Sequence, residues 1–331
     1  MFISKLKVTN FKCFKEIDVD LGNVTFIIGP NASGKSSFVD IFRFIRDISE
    51  YGLEKAVSLQ GGMDFIYNIR SAEGDDINLY YKIESHTELK NDINIVEYET
   101  ILRKTETETG FEVIKEVQTR PYKNLHCDMS IYNFEPRKSK KQTPVTEESE
   151  LKENGENLAV ILKKILDHGE SRKKYLNMVK DILPFIEELN IEDSPRESLI
   201  LKIRESFNKD KFLPGPYLSD GTVNILSLIT ALYFEHKKLS VIEEPEKGIH
   251  PNLISTLVEM IMDASSEKQI ILTTHNSQMV KYAELEDLLL ITRDRNGFST
   301  IQRPSRSKEV KTFLSHELGI DDLFIQNLLE E

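Results

Sequence analysis

Two hydrophobic periods alternate along the chain and divide it into elements. Val24-Thr25-Phe26-Ile27-Ile28 is a β-branched and aromatic run that predicts a buried strand. It gives way to residues 37–45, where Phe38, Ile41, Phe42 and Ile45 repeat at helical spacing. Residues 239–242 and 269–274 again read as buried strands. Residues 77–83, 93–102 and 111–117 are separated by polar, turn-like stretches and predict antiparallel strands. Residues 158–166 and 175–189 predict helices, as do Val223, Leu226, Ile229 and Leu232 at helical spacing. A short amphipathic helix is expected at 320–325, behind Gly319. The pattern is α/β, with a strand-rich antiparallel lobe over residues 1–135 and a helical lobe over 158–331. Between them, residues 136–157 are polar and charged, carry Pro136, Pro144 and Gly155, and predict a mobile insertion. Its basic run, Arg137-Lys138-Ser139-Lys140-Lys141, fits either a solvated loop or a contact with a phosphate backbone. No heptad pattern is sustained over many turns, which argues against a long coiled coil.

The link between the first buried strand and the first helix carries chemistry. Gly29-Pro30-Asn31-Ala32-Ser33-Gly34-Lys35-Ser36 fits G-x-x-x-x-G-K-[ST] without a mismatch, in the strand–loop–helix setting that the pattern requires. Gly29 and Gly34 let the backbone curl so that its N–H groups point at an anion. The helix starting near Lys35, with Ser36 and Ser37 in its first turn, adds its positive dipole end. Lys35 would reach the β- and γ-phosphates, and the Ser36 hydroxyl would hold Mg²⁺.

Composition narrows the setting. The 331 residues carry a formal net charge of −12, which excludes a uniformly basic nucleic-acid binder but leaves room for a local patch. The two cysteines, Cys13 and Cys127, make no disulfide framework and suit a reducing cytosol. His126 beside Cys127 has no further ligands at metal-binding spacing, so no zinc site is expected. The start, Met1 to Lys7, does not read as a signal peptide. The longest apolar region, Val223 to Phe234, is interrupted by Asn224, Ser227 and Thr230 and is too short to span a bilayer. The expectation is a cytoplasmic protein without membrane contact.

Two further runs sit where chemistry is expected. Leu218-Ser219-Asp220-Gly221-Thr222 opens a helix, with Ser219 suited to cap it and Gly221 to allow close backbone approach. The strand at 239–242 ends in Glu243-Glu244-Pro245-Glu246, and the strand at 269–274 ends at His275. Carboxylates and a histidine at the ends of buried strands lie where α/β sheets bind ligands.

With the opening Leu6-Lys7-Val8-Thr9-Asn10-Phe11-Lys12-Cys13-Phe14, and with Gly248-Ile249-His250-Pro251 and Thr273-Thr274-His275-Asn276, these motifs resemble, in order, the ABC-type ATPases of the RecF, SMC and OLD group. The resemblance covers most of the chain. It implies a P-loop NTPase fold of ABC ATPase type with a mixed central sheet, and ATP and Mg²⁺ as the bound species. It also implies a homodimer in which ATP on one copy's phosphate loop touches Ser219 and Gly221 of the other. Glu244 would be the general base and His275 the switch histidine that senses the γ-phosphate. Glu243 would join Ser36 at the Mg²⁺. Lys12 stands where the family often has a basic residue near the nucleotide. Gln60, in Leu59-Gln60-Gly61-Gly62, is either the glutamine that links Mg²⁺ to the helical lobe or a residue of a plain turn. His250 is either a cap before Pro251 or an interface residue beside the nucleotide.

One departure stands out. The family usually has Asp before the catalytic Glu, and here Glu243 is one methylene longer. Small shifts absorb the difference if a water links it to Mg²⁺; otherwise hydrolysis slows and the protein acts as an ATP-gated clamp. After residue 276 there is no acidic cluster of the kind that forms the nuclease domain of OLD proteins. Two functions follow. One is an ATP-hydrolysing switch that controls a separate effector (a nuclease or toxin) or nucleic acid, in anti-phage defence or DNA maintenance. The other is a non-catalytic scaffold gated by ATP. A small-molecule P-loop kinase is disfavoured by the signature run and the switch histidine.

Overall fold

A computed structural model describes residues 2–68, 70, 75–86, 93–106, 110–119, 128–194, 197–208, 210–315 and 319–329. The His126–Cys127 pair lies outside them. Phe2–Phe11 (β1), Phe14–Asp20 (β2), Val24–Ile28 (β3), Ile77–His86 (β4), Ile93–Lys104 (β5), Phe111–Gln118 (β6) and Met129–Tyr132 (β7) come from the first part of the chain. Thr143–Pro144 (β8), Ile186–Ser194 (β9), Ser198–Glu205 (β10) and Leu213–Pro214 (β11) make a small antiparallel sheet built around β10. Leu239–Glu243 (β12), Gln269–Thr274 (β13), Leu288–Arg293 (β14) and Ser299–Gln302 (β15) return to the large sheet.

That sheet has 11 strands in the order β6-β5-β4-β1-β2-β15-β14-β3-β13-β12-β7. From β6 to β2 every pairing is antiparallel, whereas β14, β3, β13, β12 and β7 run parallel. Strand alternation divides the core between two faces. Phe26, Ile28, Ile242, Ile270 and Leu272 join one hydrophobic cluster with the helices Asp220–Tyr233 and Ile254–Ala264. Ile27, Val241, Ile271 and Leu289 join the other, packed on Phe38, Ile41, Phe42 and Ile45 of the helix Lys35–Tyr51. Helices on both faces explain why these central strands are apolar throughout.

Two expectations change. Residues 175–189 are not one helix: the helix Gly169–Ile182 stops before Pro184, which cannot continue the backbone ladder, and Ile186 begins β9. Residues 136–157, expected as a mobile insertion, are tied into the fold. Leu151 is buried and its N–H donates to Glu235 Oε1 at 2.8 Å, Ser139 and Asn157 are buried, and β8 pairs with β10. Average composition hides these few anchors. Residues 1–135 and 158–331 both contribute strands to the large sheet, in which β3 sits between β14 and β13. No helix among the described residues is long and apolar enough to cross a membrane.

Candidate functional site

The loop after β3 has the backbone that an anion cradle needs. Gly29 (φ 151°) and Gly34 (φ 120°) lie in the region open to glycine. A Cβ on Gly29 would stand 2.2 Å from the Ile291 carbonyl oxygen, and one on Gly34 2.5 Å from Ser299 Oγ and 2.9 Å from Cys13 Sγ. No side chain caps the helix Lys35–Tyr51, so its first-turn N–H groups remain for a ligand. Lys35 is 8% exposed, and its Nζ donates to the carbonyls of Gly29 (2.8 Å) and Pro30 (2.9 Å). Burial lowers its pKa, against the charges of Glu244 and Glu246. Ser33 Oγ is buried without a hydrogen-bond partner. Pro30, Asn31 and Ala32 form the turn between the glycines. Arg293 braces it, with Nε donating to Ala32 O at 2.8 Å and Nη1 to Gly297 O at 2.7 Å. Ser36 is exposed and Ser37 half-buried at the helix start. An uncapped helix end, a buried ammonium and an orphaned hydroxyl around one bend suit a phosphate chain.

The strand ends beside the loop carry the acids. Glu243 pairs in register with Thr273, and Thr273 with Ile27, so two strand spacings, about 10 Å, separate the backbones of Glu243 and Ile27. Glu244 then turns into the left-handed region (φ 45°), where its N–H donates to Thr273 O at 3.0 Å. The turn brings Glu244 Oε1 to 2.8 Å from His275 Nδ1. Both side chains are partly open to solvent. Glu246 is 6% exposed. Its Oε1 accepts from Thr274 Oγ1 at 2.5 Å, while Oε2 is buried without a partner. Burial raises its pKa above the ordinary carboxylate value.

Glu243 is held by a residue the motif reading passed over. Arg43 Nη2 donates at 2.6 Å to Glu243 Oε1 and to Glu153 Oε1, and Nη1 donates at 2.6 Å to Asp40 Oδ1. Burial opposes the Arg43 charge, but Glu243 and Glu153 outweigh it and raise the pKa further. Lys12 donates to Asp40 Oδ2 at 2.6 Å and to Gln60 Oε1 at 3.2 Å. Lys12 and Gln60 are thus brought together and linked through Asp40 and Arg43 to Glu243. Helical spacing from Ser36 through Asp40 to Arg43 was the available signal. Glu246 and Thr274 stood inside the runs Glu243–Glu246 and Thr273–Asn276 without a role of their own, and for Arg293 there was no local signal.

Ser219 caps the helix Asp220–Tyr233, with its Oγ accepting from Thr222 N at 3.0 Å. Gly221 has a reason inside its own chain: a Cβ there would stand 2.4 Å from Gly248 O. Asn224 Nδ2 donates to Pro245 O (2.9 Å) and Lys247 O (2.8 Å), fastening this helix to the loop after Glu244. Lys140, from the basic run, pairs with Asp220. His250 is exposed and accepts from Asn252 N at 3.3 Å, capping the turn Pro251–Leu253. A cleft of about 360 Å³, lined by Lys12, Cys13, Phe65, Tyr67 and Phe298, opens on the loop side. A larger one, about 650 Å³, lies near Lys174, Phe234 and His236, before the start of β12 and away from the acids.

Comparison with known proteins agrees with this arrangement. The chain is 22% identical over 339 residues to an OLD nuclease of Thermus scotoductus, across 89% of this chain and 62% of that protein. It therefore spans less than two thirds of the length of the curated relatives it matches. Its fold matches an Smc head domain with an extended coiled coil, bound to the C-terminal domain of ScpA, from Pyrococcus furiosus. The TM-score is 0.60 at 14% identity, covering 96% of this chain and 99% of that one. An SMC head domain from Thermotoga maritima gives 0.56 at 15% identity, covering 92% and 99%. A family profile described as "AAA domain, putative AbiEii toxin, Type IV TA system" matches residues 24–280, from β3 through the acids and His275. The chain belongs to that AAA-domain family, and it has the P-loop NTPase fold of the SMC heads.

Proposed function

We propose that the protein binds and hydrolyses ATP as a molecular switch, closing as a homodimer around two ATP molecules and controlling a separate effector. The observation that carries this reading is the Glu244–His275 pair, 2.8 Å apart at the strand ends beside an uncapped phosphate loop. Glu244 accepts the proton of the water that attacks the γ-phosphate, and His275 orients its carboxylate. Lys35 leaves the carbonyls of Gly29 and Pro30 for the β- and γ-phosphates. Ser36 and Glu243 would hold Mg²⁺, with Gln60 near them, and the ion would neutralise charge on those phosphates. Ser219 and Gly221 complete the opposite protomer's site.

The effector is a nuclease or toxin, or nucleic acid is the target, in anti-phage defence or DNA maintenance in the cytoplasm. Support comes from a relative named as a nuclease, from Smc heads solved with ScpA and from a family described by a toxin. A second reading, an ATP-gated scaffold with little turnover, is favoured by one observation: Glu243 is one methylene longer than the aspartate usual before the catalytic Glu. Steady-state phosphate release and light-scattering mass with and without ATP separate the two. Turnover with an ATP-dependent doubling of mass supports the switch, doubling without turnover supports the scaffold, and neither refutes both.

A further inference from the structure

We propose that Arg43 is a positioning residue for Glu243, holding the longer acid in place for Mg²⁺; this rests on the ATP and Mg²⁺ reading of the site. Ser36, Asp40 and Arg43 follow one another by four and three residues, so they share one face of the helix Lys35–Tyr51. The contact from Arg43 Nη2 to Glu243 Oε1 shows that this face looks toward the end of β12. The residue that would hold Mg²⁺ from the loop and the residue that grips the strand acid are therefore carried by one rigid rod.

Glutamate has one more rotatable bond than aspartate and a wider choice of carboxylate positions. Arg43 removes that freedom because it is itself locked. Its Nη1 is fixed by Asp40, which Lys12 holds from the other side. Its Nε (2.9 Å) and Nη2 (2.6 Å) are fixed by Glu153, whose backbone carbonyl accepts from Asn133 N at 2.8 Å. Arg43 is 18% exposed and Glu243 9%, so the pair is poorly screened, unlike a surface ion pair. One guanidinium faces three carboxylates, and it binds Glu243 through Oε1, one of the two oxygens of a group with about four acceptor sites. Glu243 is oriented without being used up.

Two effects of Arg43 oppose each other, and they give the test its sign. Its charge repels a second cation, so on charge alone its removal would tighten Mg²⁺. Its fork fixes the ligand, so on orientation its removal weakens Mg²⁺. A fluorescent ATP analogue is titrated in EDTA and then at rising Mg²⁺ with wild type, Arg43→Ala and Arg43→Lys. The Mg²⁺ concentration that gives half of the metal-dependent gain is expected to rise about tenfold in Arg43→Ala, the scale seen when partners of metal ligands are removed. Arg43→Lys, which keeps the charge but not the fork, should fall between. A merely structural role would weaken binding in EDTA as well and leave that half-point in place. An unchanged or lower half-point in Arg43→Ala overturns the proposal. Should circular dichroism show Arg43→Ala unfolded, Arg43→Lys decides by the same shift. Wild-type protein that binds no nucleotide, or binds it without regard to Mg²⁺, would remove the ATP reading and this inference together.

Discussion

Glu244→Gln isolates the proposed base with little disturbance to its surroundings. The amide oxygen still accepts from His275 Nδ1 across the 2.8 Å contact, provided that nitrogen carries the proton. The left-handed backbone at φ 45° and the Glu244 N–H to Thr273 O bond do not involve the carboxylate. With the side chain 35% exposed, stability should shift by no more than about 0.5 kcal/mol. What the substitution removes is the proton acceptor. General-base catalysis contributes about 10²- to 10⁴-fold, or roughly 3 to 5 kcal/mol of barrier at 1.36 kcal/mol per decade. ATP binding should survive, because Lys35 and the uncapped helix start are untouched and one negative charge near the phosphates is gone. The variant should therefore release phosphate at least about a hundredfold more slowly while accumulating as an ATP-bound dimer. Phosphate release and light-scattering mass on the same sample read both effects. Turnover close to the wild-type rate would place the base elsewhere.

Three further outcomes are expected. Lys35→Ala deletes a charged donor worth about 1.5 to 3 kcal/mol, so calorimetric titration should show ATP affinity falling roughly tenfold to a hundredfold; unchanged affinity would dismiss the phosphate-loop assignment. Gly221→Asp is a poor probe of the shared site, because its Cβ would strike Gly248 O within the same chain. Ser219→Arg is the better lesion: alone it should block dimerisation, and mixed with Lys35→Ala it should regain activity, since one of the two sites in a mixed dimer is then intact. Mixed dimers without recovery would count against composite sites. Burial raises the Glu246 pKa above its ordinary 4.5, so its contribution to stability is full below that value and is lost as pH rises through the folded-state value. Thermal melts of wild type against Glu246→Gln should thus move in the variant's favour from pH 4.5 upward, and a gap that ignores pH would contradict the assignment.

The sequence alone determined what short-range physics controls. Val24–Ile28, the glycine loop and the helix Lys35–Tyr51 were legible because a strand period, turn chemistry and a helix period follow one another within a few residues. The strands Ile77–His86, Ile93–Lys104 and Phe111–Gln118 were legible for the same reason. Where a long helix was expected at 175–189, a single Pro184 overruled an apolar pattern that both periods tolerate. Only the tertiary structure decided the rest. Arg43 and Glu243 are 200 residues apart in sequence, and Arg43 and Glu153 are 110 apart. No local pattern links them. The order β3-β13-β12, with the helix Lys35–Tyr51 packed across it, sets their distance. The same holds for Gly221, whose lack of a side chain reads locally as a motif but is required by the Gly248 carbonyl. It holds also for the polar stretch 136–157, where Leu151 binds the buried Glu235, a partner 84 residues away that composition cannot reveal. Periods are written residue by residue, whereas charge pairs and close approaches depend on which strands become neighbours, and that is settled only when the whole core packs.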